Sequence, residues 1–135
     1  MLGEKIGQGS GKITSQRVLA NLGGGGPKME SSFQANGSLL GVNFKETGTY
    51  CTVVRPDGTL YGEGQGVTVT KDGKMATWTG HGVGTMNKDG TASYRGAIYY
   101  QTAPPKLSRL TKVAVLFEYA IDADGNTHSE YWEWK

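Results

Sequence analysis

Four short stretches of the chain share one pattern: Pro56-Asp57-Gly58, Lys71-Asp72-Gly73, Lys88-Asp89-Gly90 and Ala123-Asp124-Gly125. Each lies between segments in which Val, Thr, Tyr, Ile and Trp nearly alternate with other residues, the signature of β-strands. An Asp-Gly pair in such a place makes a hairpin turn of one of two kinds. One is a two-residue type I′ turn; the other is a three-residue loop, a type I turn followed by glycine in the left-handed region. Pro56 decides between them, because its fixed φ suits the second position of a type I turn, where only the longer loop puts it. Reading all four loops as this one device pairs the flanking residues: Arg55 with Thr59, Thr70 with Lys74, Asn87 with Thr91, and Asp122 with Asn126.

Further turn signals stand at Gly23-Gly24-Gly25-Gly26-Pro27, Asn36-Gly37 and Ala103-Pro104-Pro105. Together they divide the chain into eight segments of about 10 to 16 residues, the spacing of an all-β fold. No stretch carries a helical stripe, and at most one turn of helix is expected at Leu107-Ser108-Arg109-Leu110 after the two prolines. Eight strands in series, joined mainly by tight hairpins, form an antiparallel meander. Such a sheet leaves two edges exposed unless it closes on itself. The expected fold is therefore all-β: a single antiparallel eight-stranded up-and-down barrel over residues 1–135, which is one domain by length.

The register sorts the side chains into two faces, since directly opposed residues share a face. Gly62 meets Gly82 and Gly64 meets Gly80. The next hairpin sets Gly82 against Gly96 and Gly84 against Tyr94. The previous one sets Tyr50 against Gly64 and Gly48 against Gly66. The chain carries 22 glycines, and much of that excess gathers on this face, ringed by Tyr50, Trp78, Tyr94, Ile98 and Tyr100. Glycine inside a strand costs roughly 0.5–1 kcal/mol relative to alanine. Strong sheet coiling, a close backbone or overlying aromatic rings would offset that cost.

The opposite face reads, in rows, Cys51–Glu63–His81–Ala97, then Thr49–Gln65–Thr79–Tyr99, and Val53–Tyr61–Val83–Arg95. A carboxylate opposite an imidazole with a guanidinium on the diagonal can do acid/base or anion-orienting work. Glu63, His81 and Arg95 are thus the candidate catalytic group. With Gln65, Tyr61, Tyr99 and Cys51 they are the candidate ligand contacts. The competing reading is a solvated cross-strand pair with no ligand. The expectation places this polar face inside the barrel, because glycines outside would let a neighbour pack closely.

Other signals yield less. Cys51 has Glu63 rather than a base beside it, so a structural thiol outweighs a nucleophile. Two histidines and one cysteine without close spacing make a poor metal set, so no metal is expected. Asp122-Ala123-Asp124-Gly125-Asn126 places its glycine too early for a calcium-binding EF-hand. Gly7-Gln8-Gly9-Ser10-Gly11-Lys12 has Ile6 and Ile13 where a phosphate loop needs Gly and Ser or Thr, and reads as a third alternating-glycine strand. No cofactor is expected. The 14 basic and 12 acidic residues are spread evenly, which excludes a concentrated nucleic-acid surface. Val113 to Phe117 is too short a run to span a bilayer. A lone cysteine and a start without a signal-peptide pattern lead to a cytoplasmic expectation, in which Asn36-Gly37-Ser38 is a plain turn rather than a glycosylation site. The last hairpin opposes Leu116 to Trp132 and Phe117 to Tyr131, leaving both faces apolar. That predicts either a homo-oligomer covering the outer side or tryptophans capping the barrel end.

The strands "YGEGQGVTV" and "TGHGVGTM", followed by "SYRGAIYY", resemble the calycin-type and allene-oxide-cyclase-like small barrels from about residue 28 onward. The G-x-W signature of lipocalin and avidin first strands is absent, and no cyclase active-site residue has a counterpart here. The resemblance implies a closed, calycin-like barrel with a ligand cavity and frequent oligomers. Three functions stay open: a binder of a small, partly apolar molecule in the barrel, a cofactor-free isomerase or cyclase using Glu63, His81 and Arg95, and a structural or partner-binding barrel with a filled interior.

Overall fold

The computed structural model describes residues 2–135. Eight strands, β1 (Leu2–Leu19), β2 (Lys28–Leu39), β3 (Val42–Val54), β4 (Leu60–Thr70), β5 (Met75–Met86), β6 (Ala92–Thr102), β7 (Val115–Ile121) and β8 (Asn126–Trp134), follow one another around a closed barrel. Every neighbouring pair is antiparallel, and β1 closes the ring against β8. The fold is the all-β, up-and-down barrel that the turn pattern predicts.

The Asp-Gly loops are three-residue bulged turns. Arg55 N donates to Thr59 O at 2.8 Å and Gly58 N to Arg55 O at 2.9 Å, with Gly58 at φ 87°. The same pair of bonds recurs at Thr70–Lys74, Asn87–Thr91 and Asp122–Asn126. Aspartate carboxylates fasten the loops: Asp57 Oδ1 accepts from the Thr59 backbone N–H, and Asp89 Oδ1 likewise from Thr91. The register follows, with Gly62 opposite Gly82, Gly64 opposite Gly80 and Glu63 opposite His81.

Two expectations are corrected. Asn36-Gly37 is not a turn but lies inside β2, paired with Lys45 and Phe44. The turn is Leu40-Gly41, at φ 50° and 79°, a two-residue loop between the paired Leu39 and Val42. A turn at Asn36 would leave Leu39, now fully buried, without a place in the core. Gly37 instead lets β1 approach closely, since a Cβ there would sit 1.9 Å from the Gln8 carbonyl oxygen.

The second correction concerns the faces. The glycine and aromatic face lines the interior, with Trp78, Tyr94, Ile98 and Tyr100 all buried, while Glu63, Gln65, His81, Arg95 and Tyr99 are exposed. Volume is the reason. An eight-stranded barrel is just wide enough for side chains to fill, and large rings fit only where the facing strand has no Cβ. The Trp78 indole lies against Gly66, where a Cβ would come within 2.4 Å of it, and the Phe33 ring covers Gly48 at 2.5 Å. The charged face keeps its water outside, which avoids the cost of burying ionised groups.

One barrel end is closed by a 3₁₀ helix, Pro105–Lys112, between β6 and β7. Its Leu107 and Leu110 are fully buried in the main core cluster, and Arg109 pairs with the buried Glu133 of β8. The expected single turn at Leu107–Leu110 is thus a longer plug. Toward the other end, Leu60, Tyr94 and Tyr119 form a second cluster with Tyr50 and Phe117.

Candidate functional site

The interior holds a cavity of about 70 Å³. Its floor is the bare backbone of Gly62, Gly64, Gly80 and Gly82 on β4 and β5; rings of Phe33, Tyr50, Trp78, Tyr94, Phe117, Tyr119 and Tyr131 surround it, with Ile98 and Ser129. An apolar glycine-lined interior is thus present but not roomy, because those same rings fill most of the space over the glycines. Pockets for drug-sized ligands run to roughly 300–1,000 Å³, whereas one water needs only about 10–15 Å³. The cavity accommodates a molecule of a few non-hydrogen atoms. At Gly62 the floor is open: the nearest atoms to an added Cβ, Thr52 Oγ1 and a Tyr94 ring carbon, lie 3.6 Å away.

One buried carboxyl stands on the cavity wall. Glu46 of β3 lies between Ala35 of β2 and Thr68 of β4 and is 3% exposed. Its Oε2 accepts from Thr68 Oγ1 and from the Trp78 indole Nε1, each at 3.0 Å, and the nearby Tyr131 hydroxyl also favours the charged carboxylate. These donors favour the ionised form, but burial outweighs them and pushes the Glu46 carboxyl up from its ordinary 4.5 to about 7. Burial likewise raises Tyr100 and Tyr131, with Glu46 adding to both shifts, so the neighbouring phenols stay protonated. The Tyr100 hydroxyl is buried without a hydrogen-bond partner of proper geometry; the Thr68 hydroxyl approaches it without closing a bond.

A four-ring cluster of Phe33, Tyr50, Tyr94 and Tyr119 bounds the same cavity, with ring centroids 5.7–6.1 Å apart. Two polar links brace it. Thr52 Oγ1 and Tyr94 Oη are 3.0 Å apart, and the Tyr50 and Tyr119 hydroxyls 3.4 Å. The two edge-on pairs, Tyr50–Tyr94 and Tyr50–Tyr119, are of the kind that contributes about 0.5–1.5 kcal/mol each beyond burial.

The residues anticipated as a polar site come together, but on the outside. Glu63 pairs with His81 across β4 and β5, and the Tyr61 hydroxyl lies 3.0 Å from His81 Nδ1. The Arg55 guanidinium covers the Tyr61 ring at 4.8 Å. Arg95 turns away to Glu118 at 3.4 Å. Gln65 is exposed, Tyr99 is 50% exposed, and Cys51 is a half-buried free thiol. Glu63 and His81 reach the cavity only through the strands they occupy, because alternation sends their side chains to solvent. They cannot grip a molecule inside the barrel. Glu46 escapes a reading of motifs, although the sequence carries its signal. It stands two residues before Gly48 and four before Tyr50, a carboxylate on the glycine face by the same alternation.

The chain matches no protein-family model and no curated protein sequence. Solved structures do match. A protein of unknown function from Clostridium acetobutylicum ATCC 824 is 15% identical, with a TM-score of 0.82 over 98% of each chain. A conserved protein of unknown function from Rhodopseudomonas palustris is 14% identical, with a TM-score of 0.80 over 99% of each. A β-barrel-like protein from Acinetobacter baumannii AYE is 11% identical, with a TM-score of 0.83 over 100% of this chain and 96% of its own. At such identities the likeness shows a shared barrel, and it extends over β1, ahead of the residue 28 at which the sequence resemblance begins.

Proposed function

We propose that the protein binds a small, largely apolar molecule inside the barrel, resting on the glycine floor with its polar end at Glu46. One observation carries this reading: the barrel keeps an open space beside a buried carboxyl that has no cationic partner, and the floor of that space is unobstructed at Gly62. An empty void forfeits contacts and a buried carboxyl costs desolvation, and a ligand in the space would offset both. The calycin-type likeness agrees with a ligand in the barrel but adds no residue to the site.

A catalytic reading has one observation in its favour. A carboxyl held near 7 can both donate and accept a proton at neutral pH, so if the barrel is a cofactor-free isomerase, Glu46 takes the role that the sequence pattern gives to Glu63, His81 and Arg95.

The test is an NMR titration of the barrel with small probes of graded polarity, following the glycine amides. The expected result is saturable shifts of Gly62, Gly64, Gly80 and Gly82, weakened in Gly62→Ala. Shifts confined to the outer-face residues Tyr61, Glu63 and His81 would overturn the interior reading.

A further inference from the structure

We propose that the cavity takes a small alkylammonium ion, its charge held by Glu46 and its alkyl groups by the surrounding aromatic rings. This deepens the reading of an interior ligand and rests on it. The argument begins with what Glu46 lacks. Buried carboxylates are almost always paired with a cation, yet no lysine or arginine among the described residues is buried. The lysine and arginine ion pairs Lys5–Glu130, Arg17–Glu30, Arg95–Glu118 and Arg109–Glu133 all hold their cation at the surface. The Trp78 indole N–H can only donate to Glu46, and the Thr68 hydroxyl donates to the same oxygen. That set suits an ionised carboxylate, which only accepts. It leaves the negative charge without a counterion.

The walls supply the rest of the complement. Phe33, Tyr50, Trp78, Tyr94, Tyr119 and Tyr131 surround the space. Aromatic faces attract cations through their quadrupole, and cages of such rings hold alkylammonium ligands. A cavity of about 70 Å³ limits the ion to a few carbon atoms. The Tyr100 hydroxyl, the one buried polar side-chain atom among the described residues without a hydrogen-bond partner, couples electrostatically to the same carboxyl. An anion is disfavoured here by Glu46 itself, and a neutral molecule leaves the carboxylate unpaired.

Isopropylammonium chloride and propan-2-ol have the same heavy-atom shape and differ in charge, so their affinities isolate the electrostatic part. In NMR titrations of the full chain at pH 8, isopropylammonium should bind roughly tenfold or more tighter than propan-2-ol, both shifting the glycine-floor amides. Glu46→Gln should remove that preference while propan-2-ol binding persists. Equal or tighter binding of propan-2-ol to the wild type overturns the cation assignment and leaves the interior cavity standing. Shifts from neither probe overturn both. A preference that survives in Glu46→Gln means the ammonium sits elsewhere, which also overturns the assignment. Gly62→Ala decides the matter if Glu46→Gln does not fold: its added methyl enters the cavity without a clash and should weaken both probes together, whereas undiminished ammonium binding refutes the site.

Discussion

Replacing Glu46 by glutamine should change how the stability of the barrel depends on pH, and the size of the change follows from the burial of one carboxyl. In the unfolded chain Glu46 loses its proton near 4.5; in the barrel burial holds that proton until about 7. Between those values the native state binds a proton that the unfolded state has released, so stability falls as pH rises. The slope is about 1.4 kcal/mol per pH unit for one group, and across this window the loss reaches about 3 kcal/mol. Below pH 4.5 both states are protonated and the neutral acid is fully favourable; above pH 7 both have released the proton and no further change comes from this group. Glutamine does not titrate. Its carbonyl can still accept from Thr68 and Trp78, and its amide faces Tyr131 at a mismatch cost of about 1 kcal/mol. The variant should therefore equal or trail the wild type at pH 5 and exceed it by about 2 kcal/mol at pH 8. Urea denaturation at half-unit steps from about pH 4.5 to 8 measures the difference, and the other titrating groups cancel because both proteins carry them. Parallel curves for the two proteins would refute the argument, since they would mean that Glu46 is hydrated in the folded state or already ionised at pH 5.

Four other substitutions test the packing, the turns and the outer face. Gly66→Ala drives a Cβ to 2.4 Å from the Trp78 indole and should cost about 1–3 kcal/mol as overpacking, read as a fall in Tm. Gly62→Ala, with 3.6 Å of clearance, should instead be neutral or stabilise by up to about 1 kcal/mol; a loss comparable to that of Gly66→Ala would show that the floor is not open. Gly58→Ala places a Cβ on a backbone at φ 87° and should cost about 1–2 kcal/mol, measured by denaturant midpoint. A second copy of the chain on the outer wall, where Leu116 and Trp132 are half-buried and Trp134 is 59% exposed, predicts a dimer in sedimentation velocity that Leu116→Glu converts to folded monomer; a monomeric wild type would exclude that packing.

The barrel is legible in the sequence because its turns carry their own chemistry. Pro56 admits one loop type, the loop sets the register, and the register places Glu63 opposite His81 and Gly64 opposite Gly80 as they stand in the fold. The Asn36-Gly37 signal misleads because the same dipeptide that favours a hairpin also serves where another strand presses on a backbone, as Gln8 does on Gly37; local composition does not distinguish the two. The inward-facing side is hidden for a deeper reason. A period of two sorts residues onto two faces but has no sign, and both faces of β4 to β6 mix polar and apolar groups. Hydrophobicity alone therefore cannot choose between them. Steric reciprocity can: a bulky ring with a glycine directly across the strand pair, as Trp78 has in Gly66, needs a confined space on that side, since a ring facing solvent could turn away and a Cβ opposite would cost nothing. Applied to β3, the same reasoning takes Phe44, Gly48 and Tyr50 inward, and Glu46 must go with them. A carboxylate that alternation forces among rings and glycines serves the Thr68 hydroxyl and the Trp78 indole N–H there, but at the cost of its own desolvation, and that conflict between pattern and chemistry is the reason the proposed ligand is placed against it.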